Sequence, residues 1–208
     1  MKIRTANLFD IDSIMDIENN SFIPQVREER QVFLQRLKVF PQGFILLIDD
    51  SVPVADEGQK TGIDAKNENI CGYFCTELWK KMPESKEVFS VGHDISLAHC
   101  ADGTVLYISS FALLPGLRGG GLGGKFFRSA LNYIEESVQN LKEEVLLVNE
   151  NWTGARHIYK KNGFSECFSI KDAFQNEFFE LQTGIVMKRT LKDANSKDLH
   201  SSSLSYDC

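Results

Sequence analysis

The chain has 208 residues, 42% of them hydrophobic, with a formal net charge of −6. That length buries a sizeable core and fits one decorated domain better than two, while dispersed Lys and Arg in an acidic chain argue against a nucleic-acid binder, which needs them clustered. No stretch approaches the roughly 20 apolar residues that span a bilayer, and residues 1–20 lack the continuous apolar run of a signal peptide, so a soluble, cytoplasmic protein without membrane partners is expected.

In chain order, Lys2–Ala6 alternates as a first strand. Ile11, Ile14, Met15 and Ile17 then recur at helical spacing behind the capping-type Asn7 and Asp10. After Pro24, residues Val32, Phe33, Leu34 and Leu37 give a second amphipathic helix, ended by Pro41-Gln42-Gly43, and Phe44–Ile48 reads as a buried strand. Residues 49–69 are polar with Pro53, Gly58 and Gly62, an excursion expected to be mobile. Ile70–Trp79 resumes as a strand, followed by a mixed excursion over 80–102 that holds His93 and His99.

Val105–Leu114 is rich in strand formers and ends at Pro115-Gly116, the signature of a central strand. Leu122, Phe126, Phe127, Ala130, Ile134 and Val138 follow helical spacing, and Val145–Val148 is a short buried strand. Ala155, Ile158 and Tyr159 open another helix, which Gly163 should end in a left-handed conformation. Phe164–Ile170 and Gly184–Arg189 read as a closing antiparallel pair, before a Ser-rich tail over 191–208 expected to be disordered. The pattern predicts an α/β fold with helices packed on a twisted mixed sheet, in a single domain over 1–190. The five cysteines, Cys71, Cys75, Cys100, Cys167 and Cys208, show neither Cys-x-x-Cys spacing nor a paired-histidine pattern, so reduced thiols and no metal are expected.

Arg118-Gly119-Gly120-Gly121-Leu122-Gly123-Gly124 falls between a predicted strand and a predicted helix. Backbone amides at such a helix N-terminus attract anions, glycine lets a phosphate approach the main chain, and Arg118 adds a permanent charge. Glycine clusters also make plain turns, but five glycines in six residues after an Arg favour the anion site. The run matches a dinucleotide fingerprint and most of a P-loop by accident. Phe126 stands where a P-loop needs Ser or Thr, and a dinucleotide turn would follow the first strand.

Arg118, Gly121 and Gly123, followed downstream by Ala155, Tyr159, Gly163 and Phe164, resemble the two signatures of the Gcn5-related N-acetyltransferase superfamily. The resemblance implies a mostly antiparallel sheet of about six or seven strands flanked by about four helices, with acetyl-CoA as co-substrate. It assigns Phe111, Ala112 and Leu113 to the pantetheine arm, the amides of Gly119 to Gly124 to the pyrophosphate, and Tyr159 to protonation of the departing thiolate. Family members often carry an Asn where this chain has Trp152, which leaves Asn149 as the nearby candidate for that contact.

Acetyl transfer to an amine also needs oxyanion stabilisation, implied at the Leu113 amide, and a route for the proton of an ammonium whose pKa is about 10.4. A secondary resemblance to the arylalkylamine N-acetyltransferase branch matches Ala98-His99 to a Leu-His pair, and puts Tyr107 and Ser109 where that branch has two strand histidines. His99, Tyr107, Ser109 and Glu77 are therefore the candidates for proton transfer, with His93 beside them. Phe22, Trp79, Phe174, Phe178 and Phe179 are candidates for an aromatic acceptor pocket. The reading is an acetyl-CoA-dependent N-acetyltransferase acting on a small primary amine. Acetylation of a protein or peptide, and a non-catalytic acyl-CoA-binding module, are the alternatives, and a homodimer stays open.

Overall fold

The computed structural model describes residues 1–50, 68–83 and 86–191. The expectations of a mobile loop and a disordered tail fall, over 51–67 and 192–208, outside these residues. The chain runs β1 (Lys2–Thr5), α1 (Ile11–Ser21), α2 (Arg30–Val39), β2 (Phe44–Asp49), β3 (Asn69–Trp79), α3 (Ile95–Ala98), β4 (Val105–Leu113), α4 (Leu122–Ser137), β5 (Glu143–Asn149), α5 (Thr153–Lys161), β6 (Ser165–Gln175) and β7 (Leu181–Thr190). The predicted succession of elements holds, with the single turn α3 added inside the 80–102 excursion.

Seven strands form one sheet in the order β1-β2-β3-β4-β5-β7-β6, antiparallel throughout except for the parallel pair β4 and β5. Helices α1 and α2 cover one face, where Ile14, Ile17, Phe33 and Leu37 pack on Phe44, Leu46 and Tyr73. Helix α4 covers the other, where Phe126, Phe127, Ala130 and Ile134 pack with Ile45, Leu47, Phe74 and Ile108. Burial on both faces is why β2 reads as a continuous apolar run and not as an alternation.

Local chemistry fixes the ends. In the 3₁₀ turn Leu8–Asp10 that leads into α1, the Asn7 side chain accepts from the Phe9 amide at 2.8 Å and Asp10 accepts from the Asn7 amide at 2.8 Å, a reciprocal cap. Arg4 then clamps both Asp10 oxygens at 2.7 and 2.8 Å, joining β1 to the helix. Helix α5 stops at Gly163, whose φ is +90°, as predicted. Strands β6 and β7 extend past their expected limits to a hairpin that pairs Phe174 with Gln182 and Gln175 with Leu181. Of these four, Phe174 is buried while Gln175 and Leu181 are exposed, and backbone pairing holds the exposed ones in the sheet, which an apolar pattern does not reveal.

Candidate active site

The site begins with a break in the sheet. Strands β4 and β5 pair from Val105↔Glu143 to Ile108↔Leu146, and no described pair continues that ladder. Beyond it the sequence changes character: Ser109, Ser110 and Phe111 are half-buried in a strand that is otherwise buried. On the other edge β4 stays paired with β3, but the register slips, since Thr76 pairs with Ile108 and Cys75 with Ser110. Ser109 is the extra residue of a β-bulge, and its hydroxyl donates to the Cys75 carbonyl at 3.1 Å.

The bulge decides which side chains share a face. Tyr107 packs with Trp79 and Phe89 on the face of α1 and α2. One residue is then skipped, so Ser110 and Ala112 continue that face while Phe111 packs against Phe126 and Phe127 beneath α4. Strict period-two counting from Tyr107 predicts Ser109 in the place that Ser110 occupies.

At the end of β4 the chain turns through Pro115–Leu117 into the glycine run and α4. The N-cap Gly121 is left-handed at φ +79°, no side chain caps the helix, and no acidic residue sits in its first turn. The first helical amide to close on this turn is that of Lys125, which donates to the Gly121 carbonyl at 3.2 Å. The amides ahead of it form an electropositive terminus. A Cβ built on Gly119, Gly120, Gly121 or Gly124 would meet nothing within 4 Å, so the surface there is open to an approaching group. Gly123 differs: its Cβ position lies 3.3 Å from Ile158, so that glycine lets α4 approach α5. Arg118 folds back, its Nε donating to the Leu113 carbonyl at 2.9 Å, and burial lowers its pKa.

Between the parted strands lies a cleft lined by Ser109, Ser110 and Phe111 on one side and by Leu146, Leu147 and Tyr159 on the other. Tyr159 projects from α5 against Phe127 at 5.0 Å, and burial raises its pKa, which keeps the phenol protonated at neutral pH. Its hydroxyl has no protein hydrogen-bond partner among the described residues. Part of the cleft wall is aromatic: Trp152 contacts Phe22 at 5.7 Å and Phe174 at 5.4 Å between ring centroids. Phe89, Tyr107, Glu28 and His93 complete it. Phe178 and Phe179 are exposed on the β6–β7 hairpin, and Trp79 is buried against Tyr107.

The other candidates are dispersed. Glu77 is fully buried and accepts from Trp79 Nε1 at 2.5 Å and faces His93 Nε2 at 2.9 Å, with the buried Arg36 at 3.9 Å. The remaining ring nitrogen of His93 faces the Ser90 carbonyl at 3.1 Å, so both nitrogens meet protein oxygens. His99 lies apart from the cleft lining, its Nδ1 accepting from the Leu78 amide at 3.2 Å, and burial lowers its pKa. Asn149 is buried, donating to Gln182 at 2.6 Å and accepting from the Asn151 amide at 2.9 Å.

Sequence reasoning missed a second polar group. Glu18, buried under α1, accepts from the Tyr73 hydroxyl and from the Glu28 amide at 2.7 Å, and Tyr73 Oη lies 2.8 Å from Ser110 Oγ. Burial raises the Glu18 pKa to about 7 against the opposing hydrogen bonds from Tyr73 and Glu28. The only hint in the sequence is the consecutive Ser109-Ser110 inside an apolar strand, since Glu18 and Tyr73 lie far away along the chain.

A sheet parted beside an uncapped, glycine-lined helix terminus defines a class of protein suited to laying a long phosphate-bearing molecule through its centre. Residues 12–164 match the Acetyltransferase (GNAT) family, and the chain belongs to that family. Solved structures agree in fold. The chain is similar to the GNAT-like decarboxylase GphF in complex with isobutyryl-CoA, at TM-score 0.69 and 13% identity, covering 92% of this chain and 100% of that one. It is also similar to the ribosomal-protein-S18-alanine N-acetyltransferase from Escherichia coli, at TM-score 0.62 and 12% identity, covering 94% and 97%. Naa20 of Chaetomium thermophilum in complex with a bisubstrate analogue gives TM-score 0.63 and 16% identity, covering 95% and 90%. No curated protein matches the sequence. No helix among the described residues is long and apolar enough to cross a membrane.

Proposed function

We propose that the chain is an acetyl-CoA-dependent N-acetyltransferase that acetylates a primary amine on a small molecule, by direct attack in a ternary complex. The observation that carries this reading is the cleft between the parted strands, which Tyr159 lines, on a strand β4 that runs on through a short turn to the uncapped terminus of α4. The residues fit the co-substrate: the open main chain of Gly119 to Gly121 and Gly124 suits a pyrophosphate, and the edge of β4 over Phe111 to Leu113, beyond the end of the β5 ladder, suits an amide-bearing arm. Acetyl-CoA supplies an activated thioester carbonyl.

The chain's own groups then divide the work. The amide near Leu113 is the candidate donor to the oxyanion, and the protonated Tyr159 phenol is the candidate donor to the leaving sulfur. Phe22, Trp152, Phe174 and Phe89 hold an apolar acceptor body, with Glu28 beside it as a counter-charge for an ammonium. Both His93 nitrogens being engaged, and His99 lying off the cleft, argue against a histidine base. A second reading, acetylation of a peptide N-terminus, draws on a more open groove between Gln25, Val26, Ser90 and the β6 residues Lys171, Asp172 and Phe174, which an extended chain would fit. A cytoplasmic location and a homodimer belong to the proposal and are checked by fractionation and sedimentation.

The test is calorimetric titration with acetyl-CoA and separately with ATP-magnesium, followed by a panel of amines and peptides assayed for released CoA. Saturable acetyl-CoA binding with release of CoA on small amines is expected. Nucleotide binding in its place would overturn the reading, and release on peptides alone would favour the second one.

A further inference from the structure

The hydroxyls of Ser110 and Tyr73 and the carboxylate of Glu18 form a continuous chain that begins at the cleft and ends in the interior. Tyr73 has a single hydroxyl proton, and it is given to Glu18 Oε2. In the 2.8 Å contact with Tyr73, Ser110 must therefore be the donor. That leaves the lone pairs of Ser110 Oγ as the free end of the chain, on a half-buried residue that lines the cleft beside Ser109 and Phe111. Glu18 itself is 1% exposed and is not part of the lining, so the cleft reaches it only through the two hydroxyls.

We propose that Ser110, Tyr73 and Glu18 are a proton relay that takes the acceptor ammonium's proton inward, with Glu18 as the final base. The inference rests on the acetyltransferase reading. In the step, the ammonium N–H bond breaks and its proton passes to Ser110 Oγ as the Ser110 proton moves to Tyr73 Oη and the Tyr73 proton to Glu18 Oε2. On balance one N–H is lost and one Glu18 O–H is gained, and the electron pair stays on nitrogen for attack on the carbonyl. The same chain run backwards returns the proton to solvent once the product leaves.

Several features make Glu18 fit for the role. Its carboxyl is held against the Tyr73 hydroxyl from β3 and the Glu28 amide ahead of α2, with the Glu28 carboxylate and the Arg27 guanidinium as the charged groups acting on it. Burial, the largest influence, brings its pKa up to about 7, where a base both accepts and releases protons at neutral pH. Ser110 is brought into line by the β-bulge at Ser109, which moves it onto the face of Tyr73. The relay lies across β4 from Tyr159, so proton removal from the amine and proton delivery to sulfur come from opposite walls of the cleft.

The experiment has two readouts. Infrared difference titration of the free protein, carried out in a Glu144→Gln background because Glu144 is also raised to about 7 by burial, should show a buried carboxyl ionising near neutral pH, absent when Glu18→Gln is added and shifted by Tyr73→Phe. In steady-state assays with acetyl-CoA and an accepted primary amine, Ser110→Ala should lower kcat by about 10²-fold, within the range for lost proton transfer, with KM for acetyl-CoA unchanged. Ser110→Thr, which restores a hydroxyl, should recover most of it, and Glu18→Gln should abolish the limb of the pH profile near neutrality. A signal removed by Glu18→Gln that ionises only below about pH 5, as an unperturbed Glu does, overturns the relay. So do an active Ser110→Ala and a Glu18→Gln profile like the wild type, and both leave the acetyltransferase reading standing. A wild-type protein that transfers acetyl to no amine would instead overturn the functional reading, and the relay's catalytic role with it.

Discussion

Tyr159 is the residue on which sequence and structure converge most directly. It stands in the downstream motif, and the structure brings its hydroxyl to the cleft with the ring fixed against Phe127 and Phe164. Since the hydroxyl has no protein partner among the described residues, Tyr159→Phe should leave folding and acetyl-CoA affinity unchanged by calorimetry. It should lower kcat by about 10²- to 10⁴-fold if the phenol delivers a proton to sulfur; an unaltered kcat would remove it from the chemistry. Glu77 is legible in the sequence as a carboxylate near a strand end. Its engagement by Trp79 and His93 is not, because those partners meet it only through strand pairing and the path of the 80–102 excursion. Ser110 was hidden for another reason: alternation along β4 is broken by one unpaired residue, and a bulge leaves no composition signal strong enough to locate it.

Among the elements, β4 and the turn that follows carry the site. The ladder between β4 and β5 ends at Ile108↔Leu146, so amides over 109–113 that face the cleft should exchange quickly with solvent. Hydrogen exchange should slow there on addition of acetyl-CoA, and protection confined to the α4 terminus would show that the pantetheine arm lies elsewhere. Gly121→Ala tests the turn. Its φ of +79° is unfavourable for alanine although the space around it is empty, so chemical denaturation should show a loss of about 1–2 kcal/mol. Acetyl-CoA affinity should fall as well, because the first-turn amides lose their orientation. The succession of strands and helices along the chain was legible from apolar periodicity and turn residues. The extension of β6 and β7 into a long hairpin was not, since backbone pairing and not an apolar face keeps exposed residues such as Gln175 and Leu181 in the sheet.

At the scale of the molecule, two buried carboxyls give stability a common pH dependence. Glu18, and Glu144 against Arg189, both have pKa values raised by burial to about 7 from 4.5. Between those values each of these carboxyls binds more proton in the folded state than in the unfolded one, so their contribution to stability falls as pH rises through the window and levels off above it. For Glu18 the effect is on the order of 3 kcal/mol. Glu18→Gln should narrow the difference in Tm between about pH 5 and about pH 8, and an unchanged difference would show that the carboxyl is not perturbed. The sequence by itself determined the class of fold, the succession of strands and helices, the glycine turn between β4 and α4 and the family motifs, because periodicity, turn residues and short motifs are local in the chain. The tertiary structure alone decided which hydroxyl faces the cleft, that His99 is spent on the Leu78 amide, and that Glu18, Tyr73 and Ser110 meet. Those contacts join α1, β3 and β4 across long stretches of chain, and their geometry comes from sheet register and one bulge that no local pattern encodes.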